Sequence, residues 1–284
     1  MVRSKYQVIL AWYLSLATCY LGVKMHIDAK SLVDTYGRSP AAGDKPAYFR
    51  LHRDRYVVLL QALDVPSGSR VLEIGCNPGQ FTEILVQAGY RVWGIDLRPQ
   101  DRAALWARLG VEVRRANLEE EPLPFEDAAF EAVLFSEVLE HLTHSPLPVL
   151  EEICRVLGPH GLLVLSTPNA RSLRQRLLLG LRLLFWQSLE SPAEFRHRIG
   201  LRGDARYTVH HHLYTAGELR WLVRQAGFAS VHVRHVLARE GVGVTAKRLL
   251  RKPWRVLPKA LLGGIAALIP PVRSTLLVKA RKDH

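Results

Sequence analysis

"VLEIGCNPGQFTEIL", residues 71–85, joins two periodicities through a turn. Val71 to Ile74 read as a buried strand, Gly75 to Gly79 as a glycine-bearing turn, and Phe81, Ile84, Leu85 and Ala88 as one face of a helix that Gly89 stops. A turn between the carboxyl end of a strand and the amino end of a helix lets backbone N–H groups meet a polar or anionic ligand. The spacing is E-x-G-x-N-x-G, which fails the G-x-G-x-x-G dinucleotide pattern and places Asn77, a residue tolerant of the left-handed conformation, where a glycine would stand. Asp96 closes the next strand, about where an acidic side chain reaches ribose hydroxyls. Turn and carboxylate together predict a nucleoside ligand.

The surrounding chain alternates. "RYVVLLQAL" (55–63) places Tyr56, Leu59, Leu60 and Leu63 on one helical face ahead of a turn at Pro66 to Gly68. Strands follow in "RVLEIG", "RVWGID", "VEVRRAN", "FEAVLFSE" and "GLLVLSTPN", with helices "DRAALWARLG" and "PVLEEICRVLG" between them. Thr215 and Glu218 form a capping box ahead of Leu219, Leu222, Val223 and Ala226. "SVHVRHV" then reads as a strand and "TLLVKARK" as its hairpin partner. The expected fold is α/β: a doubly wound, Rossmann-like, mostly parallel sheet with a C-terminal antiparallel hairpin strand and helical lid insertions. The expected organisation is an apolar extension over 1–25, a helical cap over 26–66 and a main domain over 67–284 with basic, apolar insertions at 171–209 and 238–273.

A chain of 284 residues with 48% apolar residues buries a sizeable core. Cys19, Cys76 and Cys154 are odd in number and lack C-x-x-C spacing, which argues against a disulfide framework or zinc-thiolate site and for a reducing, cytoplasmic setting. The formal charge of +13 is uneven: residues 171–284 carry 22 Lys and Arg against 6 Asp and Glu, net +16, while residues 1–170 carry 17 against 20, net −3. Such asymmetry suits an anionic surface. The uncharged run from Tyr6 to Val23 follows Arg3 and Lys5, sits at the lower limit for a membrane span, and lacks an A-x-A cleavage site. An anchor, a signal-like segment and a true start at Met25 all remain open.

As a set, "VLEIGCNPG…GID…LPF…FEAVLFSEVLEHL…EEICRVLGPHGLLVLSTPN" resembles the class I S-adenosylmethionine-dependent methyltransferases of type 11/12, over roughly residues 50–237. The resemblance implies S-adenosyl-L-methionine as cofactor. Glu73, Gly75, Cys76 and Gly79 would line its methionine end, Asp96 would take both ribose hydroxyls with Leu97 beside it, and Asn117 and Leu118 would hold adenine. The family usually has aspartate in place of Asn117. Phe135, Ser136 and Glu137 would close over the donor.

In "SEVLEHL", Glu137, Glu140 and His141 stand at i, i+3, i+4, one face of a helix if the segment is helical. Similar E-x-x-E-H segments occur in ubiquinone-pathway O-methyltransferases. His141 as general base with the two glutamates beside it, Mg²⁺ on all three, and a solvated helix cap are the open alternatives, and no metal is expected. In "VHHHLYT", His210, His212 and Tyr214 are candidate acceptor contacts. The two insertions combine Leu, Phe and Trp with Arg and Lys, the composition of a helix in a membrane interface. The expected activity is methyl transfer to a small-molecule or lipid-linked acceptor, at oxygen rather than nitrogen, by a protein peripheral at the inner membrane surface. RNA methylation is an alternative without a recognised RNA-binding module, so nucleic acid is not expected as a partner. A catalytically silent membrane-surface protein of the same fold is the other alternative.

Overall fold

A computed structural model describes residues 28–39, 45–188, 190, 192–237 and 253–283. The expectations for the extension over 1–25 and for residues 238–252 of the insertion at 238–273 lie outside them.

The strands are β1 (Arg70–Ile74), β2 (Arg91–Asp96), β3 (Glu112–Arg115), β4 (Phe130–Ser136), β5 (Leu157–Pro168), β6 (Phe228–Val236) and β7 (Thr275–Lys282). The helices are α1 (Ala29–Arg38), α2 (Pro46–Ala62), α3 (Gln80–Gln87), α4 (Ala103–Leu109), α5 (Leu147–Val156), α6 (Leu173–Leu184), α7 (Pro192–Gly200), α8 (Ala216–Gln225) and α9 (Pro253–Leu268). The sheet order is β3-β2-β1-β4-β5-β7-β6. β1 to β5 run parallel, and β7 is antiparallel to both β5 and β6. The expected antiparallel pair therefore forms, but β7 slots between β5 and β6 instead of extending the edge. The strand order reverses beside β1, so the turn at Gly75 lies at the topological switch point, where open sheets bind ligands.

Strand periodicity divides the core between two faces. Leu72, Val133, Phe135, Leu163 and Leu165 point to one face with Leu150 and Ile153 of α5 and Leu219 and Val223 of α8. Val71, Ala132, Leu134, Leu162 and Val164 point to the other, with Val33, Tyr36, Leu59, Leu60, Ile84 and Leu85 of the first three helices. The predicted face of α2 is the buried one: Tyr56, Leu59, Leu60 and Leu63 are all in the core. The capping box also forms, with Thr215 Oγ1 accepting from Glu218 N and the Glu218 carboxylate accepting from Thr215 N.

Among the described residues no helix is long and apolar enough to cross a membrane. Asn169, 1% exposed, fastens the far edge: its side-chain amide donates to the carbonyls of Pro271 (3.0 Å) and Arg273 (2.8 Å), and its oxygen accepts from Arg171 N. It thus ties the root of α6 to the segment entering β7. Asn169→Ala strands two carbonyls and is expected to cost about 2–4 kcal/mol in urea unfolding; a loss within experimental error would show that the two roots are independent.

Candidate active site

The turn after β1 has the room its glycines predict. Gly75 (φ +77°) and Gly79 (φ +89°) hold left-handed conformations, and a Cβ at either would meet Val138 at 2.5 Å or Leu105 at 2.3 Å. Asn77 does not share that conformation. Its role is different from the glycine substitution read from sequence: its backbone N–H donates to Asp96 Oδ2 (3.0 Å), and its side-chain amide to Asp96 Oδ1 (2.8 Å). Arg98 N adds a third donor at 3.0 Å. Three of the roughly four acceptor positions of the Asp96 carboxylate are thereby filled. Taking both ribose hydroxyls requires the Asn77 amide to turn away.

Glu73 is buried and accepts from Thr82 Oγ1 at 2.6 Å. Burial, with the charge of Asp96 adding to it, pushes its carboxyl up to about 8 against the Thr82 hydrogen bond. The Cys76 thiol is buried and tucked toward Gly94, where an added Cβ would lie 2.9 Å from the sulfur. Leu97 and Leu118 are half-buried. The Phe135 side chain is withdrawn into the core, so only its backbone borders the turn edge. Ser136 shares a hydroxyl hydrogen bond with Ser166 at 2.8 Å.

Asn117, expected from the resemblance to hold adenine, is buried, and its Oδ1 accepts from Tyr207 O–H (3.1 Å) and Glu119 N (3.2 Å). A base amine there must displace Tyr207. The tyrosine belongs to a turn at Gly203–Thr208 that Arg206 anchors to Glu120 at 2.7 Å. Neither Tyr207 nor Arg206 carried a sequence signal.

The E-x-x-E-H segment is not one helical face. Only Leu139–His141 form a single 3₁₀ turn, and Glu137 precedes it with φ +55°. Glu137 faces α2, where the buried Arg55 pairs with it at 3.0 Å, and it accepts from Ser166 Oγ at 2.9 Å. Arg55 also donates to His52 Nδ1 at 2.8 Å, and burial beside that guanidinium pulls His52 down to about 3. Glu140 turns the other way and is fully buried; one oxygen accepts from Thr167 Oγ1 (2.9 Å), and the other lies 4.0 Å from His210 Nε2. Burial first and the Glu137 charge second raise its carboxyl to about 8.

His141 Nδ1 lies 3.0 Å from the carbonyl of Val209, which can only accept, so Nδ1 carries the proton and Nε2 keeps its lone pair. Burial, then neighbouring His210, holds the imidazole below its ordinary range. The rings of His141 and His210 meet edge to face at 4.7 Å. Glu140, His141 and His210 offer atoms within 4.8 Å of one another. One carboxylate and two imidazoles do not suit Mg²⁺, which prefers oxygen donors. His212 stacks edge-on against Tyr214 at 4.5 Å, and both line a cavity of about 660 Å³ with Trp221, Leu142 and Thr143.

The methyltransferase-domain family matches residues 48–233. The chain belongs to the S-adenosylmethionine-dependent methyltransferases. It is 30% identical over 236 residues, 78% of this chain and 73% of the relative, to a probable S-adenosylmethionine-dependent methyltransferase of Mycobacterium tuberculosis. It is 37% identical over 110 residues, 37% of this chain and 45% of the relative, to a ubiquinone biosynthesis O-methyltransferase of Xanthomonas axonopodis. It spans about half (49%) of a further relative, from Mycolicibacterium smegmatis. A solved methyltransferase from Mesorhizobium loti shares the fold, with a TM-score of 0.52 at 19% identity, covering 84% of this chain and 99% of that one.

The raised Glu140 carboxyl sets a pH signature. The folded state keeps a proton that the unfolded chain releases above pH 4.5, so stability falls as pH climbs from 4.5 toward 8. Glu140→Gln, always neutral, is expected to gain on the wild type by ~2 kcal/mol between pH 5.5 and 8 in thermal unfolding. A pH-independent difference would place the Glu140 charge in contact with solvent.

Proposed function

We propose that this methyltransferase methylates an oxygen of a small-molecule or lipid-linked acceptor, with His141 as general base. The reading is carried by the His141 hydrogen bond to Val209, which leaves Nε2 as a proton acceptor beside the ends of β4 and β5. The shared O-methyltransferase resemblance supports oxygen as the accepting atom.

The residues present fit the donor: left-handed glycines keep the turn clear of side chains, and Asp96 stands at the end of β2. S-Adenosyl-L-methionine supplies an activated methyl group when bound. Glu73, Gly75 and Gly79 would hold its methionine end, Asp96 its ribose, and Asn117 with Leu118 its base. His141 Nε2 would take the proton that the acceptor hydroxyl gives up when it is methylated. Glu137 is turned toward α2 by Arg55, while Glu140 and Thr167 brace the turn carrying His141. An oxygen nucleophile needs such a base; a neutral amine does not. The exposed apolar insertion supports an acceptor met at a lipid surface, with the protein peripheral to the membrane.

A labelled-donor screen against lipid, RNA and small-metabolite extracts is the direct test, and label in the lipid or small-metabolite fraction is the expected result. Label confined to RNA would replace the acceptor class, and none in any extract with intact donor binding would favour a silent fold. With the acceptor in hand, His141→Ala is expected to lower kcat by roughly 10²–10⁴-fold and leave the donor Kd unchanged. The wild-type rate should fall only below the ordinary histidine range, where the imidazole gains its proton. Asp96→Ala should weaken the donor about 10–100-fold in calorimetry. Unchanged turnover by His141→Ala would remove the base from the mechanism.

A further inference from the structure

α6 is a helix with nothing buried. All six leucines between 177 and 184 are exposed, as are Phe185 and Trp186 beyond the helix. Trp186 holds φ +52°, rare for a bulky residue, and is 97% exposed. A twelve-residue helix gains too little from its own hydrogen bonds to persist in water, and an apolar surface of this extent marks an interaction site. Leu261 and Leu268 of α9, which packs beside α6, extend it.

The polar residues within the patch narrow the partner. Arg171, Arg174, Arg176 and Arg182 are interspersed with the leucines, and residues 171–188 contain no Asp or Glu. A second copy would bring like charge against like charge, whereas lipid phosphates complement every cation. Leucines to enter acyl chains, aromatic rings for the headgroup level and arginines for phosphate are the three components of an interfacial helix.

Topology aims the patch. α6 follows Pro168, α9 precedes Thr275, and these two residues pair across β5 and β7. Both helices therefore leave the sheet at its carboxyl edge, the edge that carries the Gly75 turn and Glu137 to His141.

We infer that the chain docks on an anionic phospholipid bilayer through Leu177–Trp186, bringing its active-site edge to the lipid surface. This deepens the reading of a lipid-linked acceptor and rests on it for its purpose, but docking itself needs no turnover.

The test is co-sedimentation of the full chain with vesicles of phosphatidylcholine alone or with one quarter phosphatidylglycerol. The chain is expected to bind the mixed vesicles and to weaken at least about ten-fold on moving to high salt. F185S/W186S should weaken binding about ten-fold or more. R174E/R176E/R182E should abolish the preference for phosphatidylglycerol. Brominated acyl chains should quench a fluorescence component that W186F lacks. Donor calorimetry on each variant reports folding, and its failure in the wild type would sink the methyltransferase reading without touching the vesicle result. Three outcomes would overturn the docking inference: no vesicle binding by the wild type; F185S/W186S binding as the wild type does, which would assign binding to another segment such as residues 6–23; or a wild-type dimer that F185S/W186S makes monomeric, which would assign the face to a second copy.

Discussion

Two hydrogen bonds from Asn77 to Asp96 hold the site together. They fasten the turn after β1 to the end of β2, beside the switch point between β1 and β4. A carboxylate at a strand end is otherwise free to sample rotamers; here it is fixed by a backbone amide, a side-chain amide and Arg98 N. The same grip limits it, because an acceptor already meeting three donors has little capacity left. The Asn117 oxygen is engaged in the same way, by the Tyr207 hydroxyl. On the proposed donor-binding reading, a nucleoside would have to replace contacts at both residues.

What could be read from the sequence is what local spacing determines. The buried face of α2, the capping box at Thr215 and the glycines of the turn each depend on residues within one or two turns of each other, and each forms as read. The site chemistry depends on long-range partners. Arg55 meets Glu137, Tyr207 meets Asn117, and His210 meets Glu140 and His141, all across separations that no periodicity encodes. The helical face drawn through Glu137, Glu140 and His141 failed for a related reason: β4 continues to Ser136, and Glu137 takes a left-handed conformation that sends its neighbours elsewhere. Asn77 was misread because its side-chain chemistry outweighed its backbone tolerance.

The charge states follow from these partners. Glu137 pairs with Arg55 at 3.0 Å, in a pocket where burial and that guanidinium pull His52 down to about 3. Glu140, close by and fully buried, has its carboxyl raised to about 8 by burial and by the charge of Glu137. Two nearby carboxyl groups thus differ in their surroundings, Glu137 against a guanidinium and Glu140 against the Thr167 hydroxyl in a fully buried setting.

That division matters for a reaction that consumes a cation. Methyl transfer from a sulfonium spreads and then removes positive charge, so each carboxylate near the reacting centre stabilises the starting state more than the transition state. Holding Glu73 and Glu140 neutral at pH 7, through burial that raises both to about 8, removes that opposition while leaving their hydrogen bonds to Thr82 and Thr167 in place. Asp96 is anchored at the end of β2 by the Asn77 and Arg98 donors. The arrangement favours tight positioning at the sugar and weak charge pairing at the chemistry, which is what an already activated methyl group requires.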